Sequence, residues 1–182
     1  LNQIWWGRFV DASPVWTGQG SGEARVLGRQ RVALPNGPAF AVLADAGAAW
    51  PTATRRELGQ RWLGYDLDAQ QRPSFRYVCA GVEVTDTPVE VPAADAGLPA
   101  LRRTLRFASQ EEQTLTFRAA LASRIEQVAD DAVRVGPLSL RLPAGSWRIR
   151  PAGEQQELLV EIRVGPGSAE LVLEYGWREA GK

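Results

Sequence analysis

The 182-residue sequence contains no histidine, no methionine and a single cysteine, Cys79. These absences remove most of the side chains that act as bases or as transition-metal ligands near neutral pH. They exclude a histidine-based catalytic triad, a Cys-His dyad, a zinc or copper site and a c-type haem attachment within this chain. We predict no cofactor and no metal site. Any chemistry must use carboxylates, arginines, hydroxyls or calcium.

The sequence also lacks an excess of charge of either sign, because 21 basic residues balance 21 acidic ones and the signs are mixed along the chain. Without a basic stripe, we expect no nucleic-acid partner and no anionic membrane partner. No apolar run reaches the roughly 20 residues of a membrane-spanning helix, so we predict no membrane span. With 45% hydrophobic residues, the composition is typical of a globular protein. At this length we predict a single domain over residues 1–182.

A lone cysteine cannot form an internal disulfide, and Cys79 follows Phe75 and Tyr77 at intervals of two residues. We interpret it as a small buried apolar side chain rather than a reactive thiol. The chain starts at Leu1 and shows no stretch typical of a signal peptide. We therefore expect it to be a processed or excised part of a longer protein.

From Trp62 onward, apolar and polar residues alternate with period two, which is typical of strands with one buried face. Residues 62–80 are predicted to form a hairpin around turn-forming residues at 68–73. About ten strands at short intervals predict an all-β fold, an antiparallel β-sandwich with a loop-rich N-terminal third. The predicted strands cover 62–67, 75–79, 82–85, 101–107, 115–121, 133–135, 138–142, 147–149, 158–164 and 169–177.

Two further elements are predicted before the main run of strands. Residues 4–10 form a predicted strand, and residues 52–60 form a predicted short helix with Thr52 or Thr54 as its cap and Glu57 in its first turn. Residues 17–39 are rich in glycine, so we predict loops there. Loops on a rigid scaffold often carry binding residues.

Five of the seven tryptophans lie within the first 62 residues. An exposed indole can stack on the apolar C–H face of a sugar ring, while nearby polar side chains bind its hydroxyls. Tryptophan also fills cores, and the adjacent Trp5 and Trp6 must face opposite sides of a strand. Both roles stay open, and the candidate platforms are Trp5, Trp16, Trp50 and Trp62.

Asp66 and Asp68 are spaced to lie on one strand face before a turn. Such a pair can bind calcium or act as the acid and base of a glycoside hydrolase. A solvated strand face is the alternative interpretation. Asp11, Asp45 and Asp86 lie near apolar or aromatic neighbours and are equally conceivable as functional carboxylates.

A short basic cluster contains Arg102, Arg103 and Arg106. We expect these arginines to face solvent and to pair with acidic residues of neighbouring strands, such as Glu161 or Glu174.

Three segments resemble a known module as a set. They are residues 6–16 (WGRFVDASPVW), residues 63–77 (LGYDLDAQQRPSFRY) and residues 101–107 (LRRTLRF). In order and spacing they resemble a β-rich accessory module of large secreted bacterial proteins that also carry c-type cytochrome domains and glucose/sorbosone dehydrogenase-like propellers. The resemblance covers about residues 4–177. It implies a periplasmic or secreted accessory domain whose neighbours perform the redox chemistry, and it assigns no functional residue.

Three functional hypotheses follow. The first is a non-catalytic accessory or interaction module of a periplasmic oxidoreductase assembly. It would act through contacts with a protein partner or neighbouring redox domain, or by positioning a carbohydrate-like substrate. The second is a carbohydrate-binding module that uses exposed tryptophan platforms. The third is a carboxylate-based glycoside hydrolase centred on Asp66 and Asp68.

Overall fold

The computed structural model describes residues 3–16, 22–93 and 97–177. The chain forms two compact units, Leu1–Leu34 and Pro35–Lys182. The single domain over residues 1–182 therefore stays a prediction. Residues 17–21 of the predicted glycine-rich loop region lie outside the described residues.

The first unit is built from short strands. β1 (Gln3–Trp6) pairs with β4 (Arg29–Ala33), and β2 (Val10–Asp11) pairs with β3 (Arg25–Val26). A four-residue helix, α1 (Ser13–Trp16), follows β2. The predicted strand at 4–10 is thus two strands, because Gly7 between them has a φ of +92° that turns the backbone. Gly28 allows a close approach, since a Cβ at this position would collide with the indole of Trp5.

The second unit is a sandwich of two antiparallel sheets, which confirms the predicted fold class. The large sheet has eight strands in the order β11-β12-β13-β16-β9-β8-β7-β6, and the small sheet has four in the order β14-β15-β10-β5. The large-sheet strands are β6 (Arg61–Leu67), β7 (Pro73–Cys79), β8 (Val82–Val91), β9 (Ala100–Ser109), β11 (Ile125–Ala129), β12 (Ala132–Val135), β13 (Leu138–Arg141) and β16 (Gly167–Trp177). The small-sheet strands are β5 (Phe40–Ala41), β10 (Gln113–Ala122), β14 (Trp147–Ala152) and β15 (Gln155–Val164).

The core lies between the two sheets and follows the period-two alternation of the strands. The side chain of Phe40, in the two-residue strand β5, is fully buried in this core. The Phe40 ring centroid lies 5.0 Å from that of Phe117, 5.7 Å from that of Phe107 and 6.2 Å from that of Tyr77. Aromatic packing at these distances joins the edge of the small sheet to strands β7 and β9 of the large one.

The prediction of a helix at 52–60 is wrong, because the chain makes only tight turns there. The expected cap does form at Thr54. The Glu57 carboxylate accepts a hydrogen bond from the Thr54 amide at 2.7 Å, and the Thr54 hydroxyl accepts one from the Glu57 amide at 3.3 Å. Gly59 then adopts a φ of +65°, which stops the turn, and β6 begins at Arg61.

A β-bulge changes which side chains of β6 share a face. The pairing of β6 with β7 shifts between Trp62 and Gly64, which leaves Leu63 as the extra residue. Gly64 adopts a φ of +130°, a conformation that favours glycine. Simple alternation places Leu63 on the face of Tyr65. In the structure Trp62 takes that place, because it pairs directly with Tyr77.

A charged pair lies buried on the inner face of the large sheet. Arg103 donates from Nε to Asp86 Oδ1 at 2.8 Å and from Nη2 to Asp86 Oδ2 at 2.6 Å, and the two side chains are 4% and 2% exposed. The Tyr77 hydroxyl donates to Asp86 Oδ2 at 3.4 Å, and Arg103 Cζ lies 5.3 Å from the centre of the Phe117 ring. Burial lowers the pKa of Arg103, but the hydrogen bonds and charge of Asp86 outweigh it and raise that pKa above its ordinary value.

The expectation that Arg103 faces solvent was therefore wrong. Alternation along β9 places it on the buried face with Leu105, whereas Arg102 and Arg106 lie on the other face. There Arg102 pairs with Glu174 at 3.0 Å, as predicted. Arg106 pairs with an acidic residue of β16, Glu170, at 2.9 Å.

We expect the Arg103→Met variant to lose about 3–5 kcal/mol of unfolding free energy, because it leaves the buried Asp86 carboxylate without its charged partner. Urea denaturation measures the loss. The Asp86→Leu/Arg103→Met double variant should recover most of it, and Arg102→Met should stay within about 0.5 kcal/mol of the unmodified protein. Equal losses in the single and double variants would contradict this interpretation.

Candidate functional site

Four large apolar side chains form an exposed surface on the outermost hairpin of the large sheet. We call this surface the aromatic ledge, and it consists of Trp62, Tyr65 and Leu67 on β6 and Phe75 on β7. Trp62 is 59% exposed, Tyr65 60% and Leu67 49%. The rings of Trp62 and Phe75 lie 6.1 Å apart, tilted by 40°. Direct pairing of Tyr65 with Phe75 places those side chains on the same face of the sheet.

The ledge is exposed because the two sheets differ in width. β5 is the last strand of the small sheet, and its Phe40 contacts Tyr77 on β7. β6 is the next strand beyond β7 and the outermost strand of the large sheet. Its inward-facing side chains therefore extend past the last strand of the layer that covers the core.

Asp66 and Asp68 lie on the same hairpin as the ledge, in different roles. Asp66, on the face of β6 opposite Tyr65, forms an exposed ion pair with Arg76 at 2.9 Å. Asp68 fixes the turn by accepting from the backbone amides of Gln70 and Arg72, each at 2.9 Å, and from Arg72 Nε at 2.7 Å. The Arg72 amide is the main cause of the lowered pKa of Asp68, although its desolvation opposes that shift.

These roles give no support to an acid and base pair at Asp66 and Asp68. A general acid must hold a proton near the working pH, whereas the hydrogen bonds of Asp68 favour its ionised form. The hydrolase hypothesis stays a prediction.

Trp50 packs in the second unit, with no ring of the ledge beside it. Its Nε1 donates to the Pro38 carbonyl at 3.2 Å, and the Arg118 guanidinium carbon lies 4.8 Å from its ring centre. This half-buried ring takes part in a cation–π contact.

Trp5 and Trp16 belong to the first unit. Trp5 is half-buried, donates from Nε1 to the Arg8 carbonyl at 3.2 Å and lies 6.2 Å from the Phe9 ring. Trp16, in α1, is 83% exposed. Of the six predicted site residues, Trp62, Asp66 and Asp68 lie on one hairpin, but Asp66 is on the opposite face from Trp62 and Asp68 is in the turn.

The sequence analysis did not identify Tyr65, Leu67 and Phe75 as site residues. Their period-two spacing was visible, but it is also the pattern of buried strand positions. Neither the bulge nor the width of the covering sheet can be inferred from that spacing. Trp62 was selected only for its residue type.

A second charged cluster holds a loop against the outer face of the small sheet. The buried Glu157 accepts from Arg150 Nε at 2.7 Å, and its other oxygen lies 3.7 Å from Arg118 Nη1. Arg150 also donates to the carbonyls of Ala46 at 2.5 Å and Ala48 at 2.8 Å. This cluster fixes the segment between β5 and β6 to the sheet.

Across residues 3–16, 22–93 and 97–177, no group of three or more cysteine, aspartate and glutamate side chains is placed to hold a metal ion. In the same part of the chain, no helix has the length and apolar character needed to cross a membrane.

Comparison of the chain with protein-family models, with curated proteins and with solved structures gives no match. The resemblance of residues 6–16, 63–77 and 101–107 to a secreted accessory module therefore stays a hypothesis.

We expect the Arg150→Met variant to raise amide hydrogen exchange at residues 46–50 by roughly tenfold, a fall of about 1.4 kcal/mol in local opening free energy, because two carbonyl contacts are lost and the buried Glu157 keeps only the more distant Arg118 as a charged partner. Exchange followed by mass spectrometry measures this change. Arg163→Met, which removes an exposed pair with Glu161, is the matched control and should leave that segment unchanged. Identical exchange in the two variants would show that Arg150 does not hold the loop.

Proposed function

We propose that this chain is a non-catalytic accessory module of an exported oxidoreductase assembly, and that the aromatic ledge is its contact surface for a neighbouring domain of that assembly. The observation that carries the proposal is the exposure of Trp62, Tyr65 and Leu67 on one face of an edge strand. The equivalent positions further into the sheet, such as Val84 and Phe107, are fully buried.

Contact with another protein would remove this apolar surface from water. Tryptophan and tyrosine contribute strongly to protein interfaces when they are buried at the centre of a contact. Asp68 and Arg72, in the turn of the same hairpin, provide charges of both signs beside Leu67 at the end of the ledge. An apolar centre with a polar rim is the usual composition of such an interface.

Membership of an oxidoreductase assembly, and a periplasmic or secreted location, rest on the resemblance described above. One of the three resembling segments, residues 63–77, forms most of the hairpin that carries the ledge. The resemblance and the exposed surface therefore fall on the same part of the chain.

The reading frame that encodes this chain provides the binding probe. We expect a cytochrome or propeller domain encoded beside it to bind the chain, measured by calorimetry. The Trp62→Ala/Tyr65→Ala variant should bind roughly 100-fold more weakly, since two interface aromatics contribute about 2.8 kcal/mol together.

Trp16→Ala, which removes an even more exposed tryptophan from the first unit, is the control and should bind normally. A reading frame without any redox domain would overturn the assembly assignment. Equal affinities of the double variant and the control would overturn the role of the ledge.

A carbohydrate is the second candidate ligand, favoured by the exposure of two adjacent aromatic side chains, Trp62 and Tyr65, on one strand face. Their rings offer apolar surfaces to the C–H face of a sugar. The charged side chains of Asp68 and Arg72, in the turn of the same hairpin, can bind hydroxyl groups at one end of the ledge.

Titration with cello-, xylo- and malto-oligosaccharides, followed by tryptophan fluorescence, tests this candidate. Carbohydrate binding predicts a saturable change that Trp62→Ala weakens by at least about tenfold, or 1.4 kcal/mol, and that Trp16→Ala leaves intact. A flat response across the sugars would remove the carbohydrate candidate without affecting the protein-contact proposal.

A further inference from the structure

The second unit contains an apolar cavity of about 290 Å³ that is separate in its lining from the aromatic ledge. Its walls come from β5, the end of β7, the start of β10 and the segment between β5 and β6. Phe40 and Leu115, both fully buried, line its inner part, and the exposed Val42 marks its opening to solvent.

Alanines account for the free volume. Ala41, Ala44, Ala48, Ala49 and Ala80 all line the cavity, and their short side chains leave space that larger apolar residues would fill.

Two sets of contacts keep the cavity wall in place. Arg150 binds the carbonyls of Ala46 and Ala48 from the outer face of the small sheet. Gln60 Nε2 donates to the carbonyl of Phe40 at 3.2 Å. The segment that forms the wall is therefore held by polar contacts on both sides of the cavity.

The lining is uncharged throughout the described residues. Gln60 supplies an amide, and Cys79 supplies the only thiol of the chain. Burial raises the pKa of Cys79 to about 12, so the thiol stays neutral at physiological pH. Such a lining disfavours charged ligands, which would lose hydration without gaining a partner.

We propose that this cavity is a binding site for an uncharged apolar small molecule, such as two fused aromatic rings or a medium-length alkyl chain. The size follows from comparison, because a dry apolar cavity of about 150 Å³ accommodates benzene and this one has roughly twice that volume. The site is independent of the function proposed for the ledge.

Binding of 1-aminonaphthalene, an uncharged two-ring fluorophore, tests the proposal. We expect a saturable fluorescence change with the full chain at neutral pH. 1-Octanol should displace the fluorophore, whereas glycerol, which is uncharged but has no apolar chain to fill the lining, should not. Absence of saturable binding, or equal displacement by glycerol, would overturn the proposal.

Two variants locate the site. Ala49→Trp fills the cavity from its exposed rim and should weaken binding by more than about tenfold, a loss of about 1.4 kcal/mol. Ala129→Trp, at an exposed alanine of β11, is the matched control and should bind normally. Binding lost in Trp62→Ala/Tyr65→Ala but retained in Ala49→Trp would place the fluorophore on the ledge and overturn the cavity site.

A second filling variant, Ala44→Trp, keeps the site testable if Ala49→Trp fails to fold. Ala44 is also exposed and lines the cavity, so this variant should weaken binding by more than about tenfold. Unchanged binding in a folded Ala44→Trp variant would contradict binding at this site.

Discussion

The unequal width of the two sheets is the constraint on which the proposed binding surface depends. Four strands face eight, so the small sheet covers only part of the inner face of the large one. Phe40 marks the edge of that cover, through its contacts with Phe107 and Tyr77. β6 lies one strand further out and carries Trp62 and Tyr65 into solvent. The same alternation that builds the core thus produces an exposed aromatic surface where the cover ends.

Charged side chains stabilise the sandwich at two places, one between the sheets and one on the outer face of the small sheet. Between the sheets, Asp86 and Arg103 link β8 to β9, and their burial makes each depend on the other. On the outer face of the small sheet, Glu157 and Arg150 hold the loop that also forms the wall of the apolar cavity. The exposed ion pairs contribute little stability in comparison, because solvent screens them.

The sequence allowed prediction of the fold class and of the long strands β9, β10, β15 and β16, because alternation is a local signal and recurs along them. β11 was not predicted, because its residues do not alternate. It did not allow prediction of β5, since two residues carry no period. The bulge at Leu63 also escaped prediction, because it depends on the pairing with β7. Alternation along β9 does place Arg103 on the inner face, but a buried arginine is stable there only with its partner Asp86 in β8, which the spacing of β9 does not show. At the candidate site, residue type selected Trp62, whereas its neighbours Tyr65 and Phe75 required the strand pairing.

Hydroxyl-radical footprinting of the intact chain, alone and with the redox domain encoded beside it, tests the central claim most directly. Mass spectrometry then reports oxidation at each aromatic residue. We expect rapid oxidation of Trp62 and Tyr65 in the chain alone, slow oxidation of the buried Tyr175, and protection of Trp62 and Tyr65 when the partner binds. Slow oxidation of Trp62 and Tyr65 in the free chain, or no protection by a bound partner, would contradict the assignment of the aromatic ledge as the binding surface.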